Sequence, residues 1–540
     1  MPISTKLLTL YLCTALLCAC QAGSPPPETG ITPAEAEPLV ATAHGPVRGL
    51  RDDGIMTFKG IRYGADTATT RFAAPTQPQT WTEPAPATAY GASCPQTPGG
   101  NPGGLFTSWR PEPRPPISED CLFLNVWTPA VGDGGKRAVM VWLHGGGFST
   151  GNGSSLAYEG TRLARRGDVV VVTINHRLNL FGYLALNHYG PEFADSAVAG
   201  VLDMVLALKW VRDNIEAFGG DPNTVMIFGE SGGGAKVSTL LNTPAAKGLF
   251  HRAVVQSGAM LRFPDAANAR AAADQVVANL DLTRDTILDI KTISMSALSA
   301  ARVGTSAGSA PTIDDKTLSR HPFEPDAAPS GADVPMLLGT TRTESSLFLG
   351  ARNPASFNFD WAEAKAALKT TYPDKNIEHI VAGYRALDPE ATPSDVYFEA
   401  TTDARWASGH VTQAERKVVQ GAAPAYLYLF NWNTPVDGGK WRSPHALEIG
   451  FVFDNVANSA SMSGVGTEQQ LIADMLSETW IAFAKTGNPN NALIPEWPAY
   501  NLSRRPVMVF DVAPEVVNDA RGAQRRLLDD GAAYGNRYQR

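Results

Sequence analysis

The chain has 540 residues, 44% of them hydrophobic and 18% charged. That is ample for a large core and excludes a disordered or fibrous polymer. A formal charge of −8 offers no basic excess with which to hold nucleic acid.

Lys6 precedes the apolar run Leu7 to Ala19, which is too short for a comfortable membrane span and suits the core of an export signal. Residues 1–20 therefore read as a signal peptide. Its end, Leu17-Cys18-Ala19-Cys20, resembles a bacterial lipobox. In that reading Cys20 is lipidated and tethers the protein to a membrane, as a periplasmic or outer-membrane-anchored lipoprotein. Ordinary cleavage after Ala22 and plain secretion are the alternative. Residues 21–38, with Pro25-Pro26-Pro27, read as a flexible or polyproline-like tether, and 39–540 as one domain. Of the five cysteines only Cys94 and Cys121 lie beyond the signal. In an exported protein a lone pair is most simply a disulfide, with two buried free thiols as the alternative.

Short apolar runs then alternate with longer amphipathic ones, the pattern of an α/β protein with a central, mostly parallel twisted sheet flanked by helices. Strands are expected at Ala138 to Leu143, Val169 to Ile174, Thr224 to Phe228, Ala253 to Gln256, Met336 to Leu338, Ala425 to Asn431 and Val507 to Phe510. A helix is expected over Asp203 to Phe218, stopped by Gly219-Gly220. The weakly patterned stretch from Pro264 to Val334 reads as helical excursions beyond the sheet.

Gly229-Glu230-Ser231-Gly232-Gly233 lies between the run Val225 to Phe228 and a helical stretch from Ala235 to Leu241. A strand, a sharp turn and a helix with serine at the turn is a nucleophile elbow. The flanking glycines leave room where the backbones cross, and the helix N-terminus aims free N–H groups at the same point. An activated serine needs a place for the oxyanion. His144-Gly145-Gly146-Gly147-Phe148 follows a strand, and its N–H groups with that of Gly232 suit the purpose. A base and an orienting acid should follow, acid first. His445 in Ser443-Pro444-His445-Ala446-Leu447-Glu448 and Glu344 after the strand at Met336 are favoured. Asp314 and Asp315 compete for the acid on spacing. His251 opens a strand too soon after the elbow, and His321, His379 and His410 sit in surroundings typical of surface histidines.

Phe58-Lys59-Gly60-Ile61-Arg62-Tyr63-Gly64, Glu119-Asp120-Cys121-Leu122-Phe123-Leu124-Asn125-Val126-Trp127, the His144 loop, Phe218-Gly219-Gly220-Asp221-Pro222, the elbow, and Phe483-Ala484-Lys485-Thr486-Gly487-Asn488-Pro489-Asn490 occur in one order. Together they resemble the type-B carboxylesterase/cholinesterase family of α/β-hydrolases, from about Gly45 to Val512. The resemblance implies a gorge above the sheet, built by the helical excursions. It implies Ser231 as nucleophile, His445 as general base then acid, Glu344 as its orienting carboxylate, and Gly146, Gly147 and Gly232 as oxyanion donors. It further implies a Cys94–Cys121 disulfide and a buried network of Glu230, Ser257 and Glu448 around the triad. No metal or organic cofactor is implied. The function expected is a serine carboxylesterase acting on small to medium esters. A lipase for longer chains is the alternative within enzymes, and a non-catalytic cholinesterase-like binding protein the alternative outside them.

The chain departs from the family pattern at several places. Gly232 and Gly234 replace commoner alanines, which is expected mainly to free the backbone, and Arg62 replaces a proline. Lys236 stands in place of a small serine, to be either extended to solvent or paired with a carboxylate. Trp109 is expected to anchor its loop or wall the pocket.

Overall fold

Near-continuous Val, Ile and Leu runs bury both faces only as strands of a sheet covered on two sides. The computed structural model, which describes residues 37–97 and 100–528, contains an eleven-stranded sheet of this kind. In spatial order its strands are Leu50–Asp52, Ile55–Arg62, Phe123–Thr128, Val170–Ile174, Arg137–Leu143, Gly220–Glu230, Arg252–Gln256, Met336–Thr341, Ala425–Phe430, Pro506–Phe510 and Glu515–Asn518. Neighbours are parallel from Val170–Ile174 through Pro506–Phe510, and antiparallel at both ends. Leu39–Thr42, Gly45–Arg48 and Ala85–Pro86 form a second, three-stranded sheet. The leader, with Cys20, and the tether up to residue 36 fall outside the described residues. Among the described residues no helix is long and apolar enough to cross a membrane.

Strand alternation explains the two cores. Val139, Val141 and Leu143 join Val225, Ile227 and Val255 against the helix Ala199–Asn214 on one face. Met140, Trp142, Met226 and Phe228 face Trp480 of the helix Thr467–Thr486 on the other.

Each strand expected from the sequence is present, with ends shifted by up to four residues. The antiparallel strands Ile55–Arg62 and Phe123–Thr128 were not foreseen as strands. Their polar groups break any apolar run, and the reason they are buried is tertiary. Asn125 accepts the N–H of Gly60 at 2.9 Å and donates to Thr173 Oγ1 at 2.8 Å. Arg62, the departure from proline, forms a two-pronged pair with Asp120 at 2.5 and 2.7 Å, while Glu119 holds Arg71. The helix expected from Asp203 begins earlier, at Ala199, and gives way to a 3-10 turn at Ile215–Phe218. Asp203 lies inside the helix, and its fully buried carboxylate is engaged by Arg177 at 2.6 and 2.8 Å. The turn stops at Gly219, whose φ of 76° suits a residue without a Cβ.

The stretch after Pro264 carries the helices Ala266–Asn279 and Met295–Ala301. Cys94 and Cys121 are joined by a disulfide across 27 positions. By loop-closure entropy, Cys94→Ser is expected to lower stability by about 3–4 kcal/mol. Denaturant titration of the variant against the oxidised parent checks this, and an unchanged midpoint would mean that the loop is held by its other contacts.

Candidate active site

Strand Gly220–Glu230 and helix Gly232–Leu241 are separated by one residue, Ser231, at φ 58° and ψ −122°. A non-glycine side chain persists in this region only where its surroundings over-determine it. Glycines supply that confinement. A Cβ at Gly233 would lie 1.9 Å from the carbonyl oxygen of Leu143, and one at Gly258 2.0 Å from that of Ser231. Gly232 has a more specific reason than backbone freedom, since its Cβ would stand 2.2 Å from Gly147 O and 2.4 Å from Gly147 N. Its absence lets the His144 loop press against the elbow. Gly146 and Gly147 turn there at φ 86° and 62°. Among the described residues no acceptor takes the N–H of Gly146 or Gly147, and Gly232, first in its helix, has an N–H with no partner inside that helix. Gly147 and Gly232 border a cavity of about 320 Å³, lined also by Ser231, Phe148, Met260, Phe348 and Trp406 among others.

The histidine and acid loops are bonded to each other. Thr343 N–H donates to Ser443 O at 3.1 Å and Ser443 N–H to Thr343 Oγ1 at 2.9 Å. This places His445 Nδ1 2.5 Å from Glu344 Oε2. The other carboxylate oxygen accepts Ser257 Oγ–H at 2.6 Å and Thr341 N–H at 2.8 Å. His445 Nε2 lies 3.1 Å from Glu230 Oε1, the residue beside Ser231, off the line of a hydrogen bond. No hydrogen bond joins Ser231 Oγ to His445 among the described residues. Asp314 is instead spent on local turns, accepting the N–H groups of Thr317 and Leu318.

Glu230, Glu344 and Glu448 are all buried. Burial, then the charge of Glu344, pushes the Glu230 carboxyl well up. Burial, then Glu230 and Glu344, pushes Glu448 up to about 8. Glu448 Oε1 accepts from Gln256 Nε2 and Tyr428 OH, both at 3.4 Å. A carboxyl with a raised folded pKa keeps its proton more tightly when folded. Its stabilising contribution is whole below the unfolded pKa and is lost as pH rises toward about 8. Glu448→Gln keeps an acceptor for both donors and cannot ionise. The fall in Tm between about pH 6 and about pH 8 is therefore expected to be smaller in the variant than in the parent. Equal falls in both proteins would remove Glu448 from the pH response.

Lys236 is neither extended to solvent nor paired with a carboxylate. It is fully buried and donates from Nζ to the carbonyl of His144 at 2.8 Å. Burial alone lowers its pKa to about 7. The ring of His144 stacks on that of His176 at 4.8 Å, and burial, then the charge of Lys236, lowers both imidazoles. The Lys236 side chain thus anchors the first residue of the glycine loop. Trp109 proves a loop anchor, packed edge-on against Phe106 at 4.8 Å and outside the cavity lining.

His410 corrects the reading of it as a surface residue. It is 1% exposed, with Nδ1 2.9 Å from Trp406 O and Nε2 accepting the N–H of Gly258 at 3.2 Å. The sequence reading also missed the cavity wall of Phe348 and Trp406, which no motif marks. Among the described residues no group of three or more His, Cys, Asp and Glu side chains is placed to hold a metal ion.

A mostly parallel sheet with a strained serine between a central strand and its helix defines an α/β-hydrolase. The chain belongs to the carboxylesterase family, which it matches over residues 36–527. It is 35% identical over 505 residues to para-nitrobenzyl esterase of Bacillus subtilis, covering 91% of this chain and 98% of that protein. It is 30% identical over 539 residues to liver carboxylesterase 1 of Oryctolagus cuniculus, covering 91% and 92%. The crystal structure of a Geobacillus stearothermophilus carboxylesterase superposes with a TM-score of 0.78 at 35% identity, covering 91% of this chain and all of the other. The chain is accordingly a hydrolytic enzyme of the carboxylesterase class.

Proposed function

We propose that the protein hydrolyses small to medium carboxylic esters by acyl transfer to Ser231. His445 Nε2 takes the serine proton as Oγ attacks the carbonyl carbon, and Glu344 holds the ring and balances the imidazolium. The N–H groups of Gly146, Gly147 and Gly232 stabilise the oxyanion. Collapse breaks the ester C–O bond, with His445 returning the proton to the departing alcohol. Water, deprotonated by the same nitrogen, then releases the acid and regenerates Ser231. The single observation that carries this reading is the strained Ser231 at the edge of a cavity bordered by Gly147 and Gly232, with the His445–Glu344 pair tied to the same end of the sheet.

The cavity, about 320 Å³, falls in the range of small-molecule sites and supports short and medium esters over long acyl chains. Initial rates on nitrophenyl esters of increasing acyl length test this, with Ser231→Ala as control. Rates should peak at short to medium chains in clear solution. A maximum on long-chain emulsions, with a rise in rate once droplets form, would make the enzyme a lipase instead.

A further inference from the structure

Two short π-helical segments, Ser346–Gly350 and Asp403–Ala407, stand beside the active site. Such turns are rare, and they recur where a helix must re-aim a side chain at a functional site. Each supplies one member of an aromatic pair. Phe348 and Trp406 stack at 5.7 Å with planes 7° apart, and their centroids lie 4.8 and 6.2 Å from the ring of His445. Both line the cavity that contains Ser231. The wall is held in place, because His410 bridges the carbonyl of Trp406 to the N–H of Gly258.

The second segment also delivers Arg405 to the cavity lining. Its guanidinium carbon sits 4.7 Å from the Trp406 ring centroid, and the residue is exposed. The surrounding charges leave it uncompensated. Asp403, two positions back, is engaged by Arg521 at 2.5 and 2.8 Å and by Tyr384 OH at 2.6 Å. Arg262, the other arginine of the lining, is held by Glu324. Among the described residues the lining contains no Asp or Glu, and no carboxylate pairs with Arg405. Arg302 adds to the positive field near the glycine loop. It donates to Ser149 Oγ at 3.3 Å, and burial lowers its pKa.

We propose that this cavity selects esters bearing a free carboxylate, such as half-esters of dicarboxylic acids, and that Arg405 binds that carboxylate while the ester carbonyl lies at Ser231. The inference deepens the acyl-transfer reading and rests on it. A guanidinium placed over an indole presents a forked set of donors that a carboxylate can bridge, and the contact with the ring helps hold the fork ready. Because Arg405 is exposed, the attraction is moderate and weakens with salt.

The test compares monoethyl adipate with ethyl hexanoate, which differ by a terminal carboxylate in place of a methyl group, by pH-stat at low ionic strength. The reading is the ratio of their kcat/KM values within each protein, so that any general effect of a substitution cancels. The ratio is expected to fall by about tenfold in Arg405→Gln and further in Arg405→Glu, with Arg405→Lys retaining part of it. Added salt should lower the ratio in the parent toward that of Arg405→Gln. A ratio unchanged in Arg405→Gln and Arg405→Glu, with ethyl hexanoate turnover abolished by Ser231→Ala, overturns the carboxylate subsite and leaves acyl transfer standing. Turnover that survives Ser231→Ala overturns both.

Discussion

Ser231→Ala is expected to lower kcat on a short nitrophenyl ester by about 10⁴- to 10⁶-fold, with a residue of catalysis from the oxyanion donors and substrate binding. The loss belongs to chemistry rather than folding. Ser231 Oγ makes no hydrogen bond among the described residues, so its removal orphans no partner, and alanine inherits the same backbone at φ 58°. Tm should therefore stay close to that of the parent while turnover disappears. A loss of less than about tenfold would mean that another group attacks the carbonyl.

Glu344→Gln should be nearly as damaging, at about 10⁴-fold in kcat, for a reason visible in its two oxygens. Oε1 accepts from Ser257 Oγ and the Thr341 N–H, while Oε2 faces His445 Nδ1. An amide has one oxygen for these two duties. With that oxygen turned to Ser257 and Thr341, its NH₂ meets His445 Nδ1, which must then be the unprotonated acceptor. The proton moves to Nε2, the atom that has to take the proton of Ser231, and the base is lost. With the amide reversed, its NH₂ opposes the fixed N–H of Thr341 in a fully buried place, which costs stability. Either orientation harms the enzyme, and the pair of readouts distinguishes them: kcat falls with Tm kept in the first, and both fall in the second. A variant retaining most of its kcat would remove Glu344 from the orienting role.

The long parallel strands were legible because burial on both faces demands uninterrupted apolar residues, and Val139 to Leu143 or Val169 to Ile174 satisfy that locally. The elbow was legible for a related reason. Its glycines are demanded by backbones crossing at about 2 Å from any added Cβ, and that steric demand is written at fixed offsets from Ser231. The antiparallel strands Ile55–Arg62 and Phe123–Thr128 were harder to see, because their polar residues are satisfied by partners as distant as Gly153 and Thr173. His410 looked like a surface residue on its helix, since nothing near it in sequence foretells a bond to Gly258.

By itself the sequence determined the sheet's central strands, the strained serine with its glycines, and the family that these motifs define. These are local demands, each met within a few residues of chain. Only the tertiary structure decided that Lys236 is buried against the carbonyl of His144, that Gly232 makes room for the glycine loop, and that Arg405 and Trp406 close the cavity beside Ser231. Those outcomes depend on which segments, far apart in the chain, the sheet and its covering helices bring within a few ångströms. A side chain's charge state and reach are set by that company, not by its neighbours in sequence.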